Sequence, residues 1–528
     1  MSVTTDPGHR YRGSHRRSAT KSHTTTKPVV LPAPPDDHEK YLYIGRNLPF
    51  LAVIMVVCCV TAIGSQIWFE TASGMWPFGI FTAFMVLACG LALPLSFSGR
   101  GFDLEQHIRR VGSWRPGSYP DVDIYLPICA ESMDVLRNTW EAVFELCHAY
   151  PGTARPYVLD DGADPEAEAL ASDFGFNYAV RPDRGKHKKS GNLRYAYAHT
   201  FGEFFVILDA DFAPRPDFLA ETLPYFDDPD IAIVQTPQYF RTHPDQTWVE
   251  RAAGAMQEIF YRVIQVTRDR LGAAICVGTC AVYRSIALAP GGGPTLIAYA
   301  EDVHTGLDVR RGGWQLIYVP VLLATGTCPS SLDMFVRQQY RWCRGATSTV
   351  LTSRMWTVPM SVPARLSYVC GLAYYAQTAL AVFMVPLIPV CLLAFRPITV
   401  SLESSRLALI SIVAGAFVLP VWTISGYDLR DVVPLMEVRG WAHALAFWDW
   451  LCRRNMTWTP SGGPVSQVRR FRVGAVAWNG SIAAAWLALA CLRTTEFHSP
   501  QFAIITGMGV LYAASVCRLL WGLRSTGS

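Results

Sequence analysis

Long apolar stretches bracket a large polar block in this chain, and that alternation constrains its folding more than any other feature. Leu48 to Phe69 and Met75 to Phe97 are each long enough to cross a hydrocarbon core of about 30 Å as a helix. A polar block runs from about Gly99 to Pro363, and apolar stretches return near Leu366 to Phe395, Leu407 to Ser425, Val473 to Leu492 and Phe502 to Trp521. With 51% hydrophobic and 17% charged residues, the chain is too apolar for an ordinary soluble protein and too charged to lie wholly in lipid. The expected organisation is a disordered basic arm over 1–45, two transmembrane helices over 46–98, a soluble domain over 99–363, and four transmembrane helices over 364–528. Pro386 and Pro389 offer a re-entrant turn as the alternative to a straight span from Leu366.

Positive residues set the sidedness. Arg10 to Arg46, Arg100, Arg109, Arg110 and the cluster Arg453, Arg454, Arg469, Arg470 and Arg472 fall on one side of a six-span layout. That places the soluble domain in the cytoplasm of a multi-pass cell-membrane protein, with the lipid bilayer as a partner. The polar start of the chain is expected to carry no cleavable leader. A net charge of +4 with no basic run interleaved with aromatics excludes nucleic acid as a partner. The 14 cysteines show no Cys-x-x-Cys pairs and no regular Cys/His spacing, so they read as reduced packing residues.

Inside the polar block, short apolar runs end in acidic or turn residues: Val122 to Pro127, Tyr157 to Asp160, Phe204 to Asp209 and Ile231 to Gln235. Between them lie helical patterns such as Met133 to His148, where Val135, Leu136, Trp140, Val143, Phe144 and Cys147 recur at three to four residues. Alternating strands and helices predict an α/β domain on a mainly parallel sheet, with ligands outside the carboxyl ends of its strands.

Five motifs then carry chemistry. Asp209 and Asp211 follow the buried run Phe204 to Leu208, and their two-residue spacing points both carboxylates one way in extended chain. Such a pair suits Mg²⁺ or Mn²⁺, which take one or two carboxylates and complete their shell with substrate phosphates. Asp160-Asp161-Gly162 closes a second run, either as a plain turn or as acceptors for a nucleoside base or ribose. Lys186 to Asn192 opens a helix from about Asn192 to His199 and offers cations and free N–H groups to a diphosphate. Glu301-Asp302 supplies a carboxylate able to take a proton from an acceptor hydroxyl, although acidic residues also simply favour a helix start. Gln338, Arg341 and Trp342 share one helical face, giving two hydrogen-bonding groups beside an indole platform for a sugar ring. Their helix, near 332–350, is expected at the membrane interface.

This ordered set resembles the processive family 2 glycosyltransferases, in particular bacterial cellulose synthase catalytic subunits and their relatives that make chitin and hyaluronan. The resemblance covers residues 120 to 345 and implies a GT-A fold. It implies that Asp160, Asp161 and Lys189 hold uridine diphosphate, that Asp209 touches donor and metal, and that Asp211 binds the metal. Asp302 matches the general base of the family's Thr-Glu-Asp triplet, with Ala300 in place of Thr. Gln338, Arg341 and Trp342 match its Gln-x-x-Arg-Trp signature for acceptor binding, with Glu301 beside them and Gly278-Thr279 in a loop near the acceptor end. Thr457, Trp458 and Thr459, preceded by the amphipathic segment Ala442 to Leu451, occupy the place of a gating loop, near 426–472. Departures from the pattern are Ser461 for a lysine, Phe212 for a histidine, and Pro127-Ile128-Cys129-Ala130-Glu131 for Pro-Thr-Tyr-Asn-Glu. The C-terminal cyclic-di-GMP receptor of many cellulose synthases is not expected.

The expected function is an inverting, processive β-glycosyltransferase that uses a UDP-α-sugar, with UDP-glucose the first choice, to extend a cellulose-like β-glucan. Export of the growing polysaccharide, with an export or accessory protein as a further partner, goes with that expectation. The alternatives are a non-processive transferase acting on a lipid carrier, a chitin- or hyaluronan-type synthase using UDP-N-acetylglucosamine, and a nucleotide-sugar-binding transporter or scaffold.

Overall fold

A computed structural model describes residues 30–44, 49–97, 101–297, 299–400, 428–454 and 466–525. The described residues form the strands β1 (Val122–Ile128), β2 (Ala154–Asp160), β3 (Asn177–Ala179), β4 (Phe204–Ile207), β5 (Phe212–Pro214), β6 (Ile231–Gln235), β7 (Ala281–Arg284), β8 (Gln315–Tyr318) and β9 (Ala324–Gly326), of which β4, β5, β6 and β9 are buried throughout. Seven of them make one sheet in the order β3-β2-β1-β4-β7-β6-β8, and β5 pairs with β9 in a small second sheet. The pairs β1–β2, β1–β4, β2–β3 and β6–β8 are parallel. Within the seven-stranded sheet, among the described residues, only β7 runs against its neighbours, β4 and β6, and the β5–β9 pair is antiparallel as well. This is the mostly parallel sheet that the alternating pattern implied, and its architecture is GT-A-like, as the resemblance implied.

Helix Met133–Ala149 packs on the sheet, but its buried stripe is Leu136, Thr139, Trp140, Val143 and Leu146. Phe144, which the spacing placed on the inner face, is 36% exposed. Rings carry much of the core: Phe205 stacks on Tyr283 at 4.7 Å and on Tyr125 at 4.9 Å, joining β4 to both neighbours.

Part of the arm is ordered, which corrects the expectation of disorder throughout 1–45. Residues 30–44 lie against the α/β domain, where Arg215 donates to the Pro35 carbonyl at 2.6 Å and the amide of Leu322 donates to the Lys40 carbonyl at 2.9 Å. Lys40 bridges Asp217 at 2.6 Å and Glu221 at 2.5 Å, and Arg241 pairs with Glu39. Composition misleads here because a charged segment orders once oppositely charged side chains on a folded surface satisfy it.

Among the described residues, four helices are long and apolar enough to cross a membrane: Val56–Ser73, Val362–Phe395, Val473–Phe497 and Pro500–Leu519. The second stretch, Met75 to Phe97, contains helix Gly79–Phe97 with a shorter apolar part, Trp76–Cys89. The stretch Leu407 to Ser425 lies outside the described residues. Helix Val362–Phe395 continues through Pro386 and Pro389, so the re-entrant turn is not formed. A further helix, Leu429–Leu451, starts well before the amphipathic segment Ala442 to Leu451 and buries Val432, Leu435, Val438, Ala442 and Ala446.

Candidate active site

The carboxyl ends of β2 and β4 deliver the first two acidic motifs to the same edge of the sheet. Asp160 ends β2, and its carboxylate accepts the amides of Gly162 at 2.6 Å and Asp164 at 2.8 Å and the Tyr178 hydroxyl at 2.7 Å. Those bonds build the turn. Gly162 is required there, since a Cβ would stand 2.3 Å from the Cys129 carbonyl oxygen. Asp161 is gripped in a fork by Arg181, with Nε at 2.7 Å and Nη2 at 2.9 Å from its two oxygens. Arg181 also reaches the Lys188 carbonyl at 3.3 Å, which ties this turn to the basic loop.

The basic loop ends in helix Lys188–His199, four residues earlier than the sequence indicated, with His187 and Lys188 both left-handed at φ 56° and 54°. Lys189 points into the cleft, where Nζ donates to Asp209 Oδ1 at 2.5 Å and to the Gly278 carbonyl at 2.9 Å. Burial pulls its ammonium down, but Asp209, Glu301 and Asp302 together hold it above its ordinary value. Thr279 is fully buried and its hydroxyl accepts the amide of Asp209 at 2.9 Å, so the loop Gly278-Thr279 backs the metal-type motif directly.

Asp211 accepts the Thr327 hydroxyl at 2.6 Å. Burial, with the charges of Asp209 and Glu131 adding to it, pushes its carboxyl up to about 6. No cluster of three or more His, Cys, Asp or Glu side chains with metal-ligand geometry occurs among the described residues. Two hard carboxylates, both half-buried and open to solvent, still fit a divalent ion of the Mg²⁺ or Mn²⁺ type, which draws its remaining ligands from phosphate and water.

Glu301 and Asp302 open helix Glu301–Arg311, capped by Ala300 in the left-handed region at φ 56°. Asp302 Oδ1 accepts the amide of Val303 at 2.8 Å. Burial, then the adjacent Glu301 charge, push the Asp302 carboxyl up to about 7. Gly278 touches it: at φ 77°, a Cβ there would lie 3.0 Å from Asp302 Oδ2. Lys189, Asp209, Gly278 and Asp302 are therefore neighbours across more than a hundred residues of sequence.

Helix Leu332–Val350 closes the site. Arg341 is solvent-exposed on this helix; the surrounding protein pulls its value down, against the nearby charges of Glu301, Asp209 and Asp302, which favour its cation. Gln338 has a buried side-chain oxygen with no protein partner, and Trp342 is 38% exposed. Gly345, on the same face, lets the helix close on the Glu301 loop, because a Cβ would stand 2.6 Å from the Ala300 Cβ. Thr457, Trp458 and Thr459 lie outside the described residues.

Sequence reading missed Arg181, Thr327 and Glu131 as parts of this cleft. Arg181 was detectable as a lone cation two residues past β3, between two acidic motifs. Thr327 had no signal beyond following β9.

Residues 124–345 match the family described as Glycosyltransferase like family 2. Cellulose synthase 1 of Komagataeibacter xylinus is 36% identical over 235 residues, which is 44% of this chain and 15% of that protein. The UDP-forming cellulose synthase catalytic subunit of Komagataeibacter sucrofermentans is 33% identical over 279 residues, 51% of this chain and 36% of that one. The corresponding subunit of Pseudomonas fluorescens is 33% identical over 246 residues, 45% of this chain and 33% of that one. The matched region thus spans 36% or less of the length of these relatives. Among solved structures, the mannosyltransferase PcManGT from Pyrobaculum calidifontis, in complex with GDP-Man and Mn²⁺, has a TM-score of 0.47 at 16% identity, covering 70% of this chain and 99% of that one. Glucosyl-3-phosphoglycerate synthase from Mycobacterium tuberculosis, with Mn²⁺, UDP and phosphoglyceric acid, has a TM-score of 0.32 at 18% identity, covering 50% and 86%. The chain therefore carries a family 2 glycosyltransferase domain, related to bacterial cellulose synthase catalytic subunits at 33–36% identity over about half its length.

Proposed function

We propose that this protein is an inverting, processive β-glycosyltransferase that transfers sugar from a UDP-α-sugar, UDP-glucose in the first instance, to a growing β-glucan at the membrane. The observation that carries the proposal is the meeting of Lys189, Asp209, Gly278 and Asp302 in one cleft beneath the helix bearing Gln338, Arg341 and Trp342. The cellulose synthase names of the relatives support the sugar and the linkage.

On this reading Asp302 is the general base. Its carboxylate takes the proton of an acceptor hydroxyl as that oxygen attacks the anomeric carbon, the bond to the diphosphate breaks, and the centre inverts. A carboxyl held at about 7 is poised for this, because a base works best when its proton affinity lies near the working pH. Lys189 leaves Asp209 to meet the diphosphate, and the Asp160–Gly162 turn, fixed by Arg181, receives the nucleoside. Asp209 and Asp211 would hold Mg²⁺ or Mn²⁺. Bound there, a divalent ion supplies positive charge for the departing diphosphate. Glu301, Gly278, Thr279, Gln338, Arg341 and Trp342 form the acceptor side, with Trp342 as the stacking face for the terminal sugar. The catalytic domain faces the cytoplasm, and the product leaves between the flanking helices.

The test offers purified full-length protein radiolabelled UDP-glucose, UDP-N-acetylglucosamine and GDP-mannose with Mg²⁺ or Mn²⁺, then digests the product with linkage-specific hydrolases. A long glucan cut by a β-glucanase is expected. A single sugar on a lipid points to the non-processive alternative, and binding without UDP release ends the transferase reading.

A further inference from the structure

The acceptor-side helix Leu332–Val350 has two working faces, and the second belongs to residues that the Gln-x-x-Arg-Trp signature leaves unspecified. Gln338, Arg341, Trp342 and Gly345 recur at three- and four-residue steps and form the face towards the Glu301 loop. Gln339, Tyr340 and Cys343 lie on the opposite side, 5%, 0% and 0% exposed, against helix Leu429–Leu451.

That buried seam is polar and directional. The Tyr340 hydroxyl donates to Asp449 Oδ2 at 3.0 Å. His443, fully buried, lies with Nε2 3.3 Å from Gln339 Oε1 and Nδ1 2.6 Å from Thr378 Oγ1. One neutral tautomer satisfies both contacts: Nε2–H donates to Gln339, and Nδ1 accepts the Thr378 hydroxyl. Thr378 sits on helix Val362–Phe395, which also meets helix Leu429–Leu451 at Gly440, where a Cβ would be 2.7 Å from the Thr378 carbonyl oxygen. Three helices are thus pinned at fixed register by one hydrogen-bonded chain. Apolar packing alone would let a helix slide or rotate at little cost, whereas a buried polar pair holds its partner at one position.

We propose that Asp449 and His443 are positioning residues for acceptor transfer: through Tyr340 and Gln339 they fix the rotation of helix Leu332–Val350, and so the placement of Gln338, Arg341 and Trp342. On the transferase reading above, this makes the unspecified pair Gln339-Tyr340 as consequential as the named signature residues. It also separates acceptor placement from donor binding, since the side chains of Asp449 and His443 bond, among the described residues, to Tyr340, Gln339 and Thr378 and not to Asp209 or Lys189.

Tyr340→Phe removes one hydroxyl and keeps the ring, so the fold is retained. Its transfer to acceptor should fall about tenfold, because small misplacement of reacting groups is enough for that loss. Its affinity for UDP with Mn²⁺ should stay within about twofold of wild type. Asp449→Ala should match it, the double variant should be no slower than either single one, and Asp449→Asn, which keeps an acceptor oxygen, should recover most of the rate. Independently of activity, amide hydrogen exchange across 339–345 should quicken in Tyr340→Phe while β1 and β4 stay protected. Wild-type protein that releases no UDP from any donor sinks the transferase reading, and unchanged exchange across 339–345 then sinks the seam as well. Active wild type with an equally fast Tyr340→Phe, or with UDP affinity lost in step with transfer, overturns the positioning role.

Discussion

Replacing Glu301 by Gln should move the pH dependence of the reaction without touching the base itself. Asp302 is held at about 7 by burial first and by the Glu301 charge second, against an ordinary carboxyl value of 3.8. Two unit charges about 6–8 Å apart repel by about 2 kcal/mol at an effective dielectric of about 20, which would shift a carboxyl by somewhat over one pH unit. Lys189 lowers Asp302 in both proteins alike and so leaves the difference unchanged, and about one unit is taken as its lower bound. The base must be ionised to act, so kcat/KM falls as pH drops through the Asp302 value. In wild type about one-tenth of Asp302 is ionised at about pH 6, and in Glu301→Gln about one-half, so relative to the plateau the variant should be about fivefold faster there. Glu301→Asp keeps the charge and should leave the acid limb where it is. The assay is UDP release at limiting acceptor across about pH 5 to 9, read for the position of the limb and not its height. The same shift has a stability side. Because the folded state holds the Asp302 proton to higher pH than the unfolded chain, this group favours folding below about pH 4, and that contribution is lost as pH rises through about 7. The melting temperature of Glu301→Gln should accordingly fall less than that of wild type over this window. An acid limb that stays put in Glu301→Gln, or moves up, refutes the assignment of the ionisation to Asp302.

Two further outcomes follow from the same geometry. Asp211→Ala should abolish the Mn²⁺ dependence of UDP binding, measured by titration calorimetry with and without metal; an unchanged dependence removes Asp211 as a ligand. Trp140→Ala empties the largest fully buried side chain of the sheet-packing helix and should cost about 3–5 kcal/mol in denaturant unfolding of the domain, with a loss below about 1 kcal/mol contradicting the packing described.

The parts of this fold that composition and period encode were readable in advance. β1, β4 and β6 are buried almost throughout and β2 over its carboxyl end, so their apolar runs stand out, and the place of the acidic residues after β2 and β4 follows from sheet topology. Strand direction is not encoded in such a run, which is why β7, antiparallel between β4 and β6, had no signature. β5 and β9 are three residues each, below the length at which alternation can be seen. Residues 30–44 were misread because Pro-rich, charged sequence is ambiguous between solvation and docking, and the docking partners Arg215, Asp217 and Arg241 lie far along the chain. Within the site, motif residues were visible and their supports were not: Arg181 and Thr327 act by orienting Asp161 and Asp211, a role set by tertiary proximity alone. The seam residues His443 and Asp449 escaped for the same reason, since their helix also carries Arg430, Asp431, Glu437 and Arg439 and its sequence does not mark which polar residues meet a neighbouring helix.

The central claim is that Asp302 takes the acceptor proton in a cleft whose donor side is built by other residues. The most direct measurement compares UDP release and UDP affinity, both with Mn²⁺ and UDP-glucose, in wild type and Asp302→Asn. The account predicts release lowered by at least about a thousandfold with UDP affinity within about threefold of wild type. Release that persists near the wild-type rate, or affinity that collapses together with it, would contradict the role assigned to Asp302.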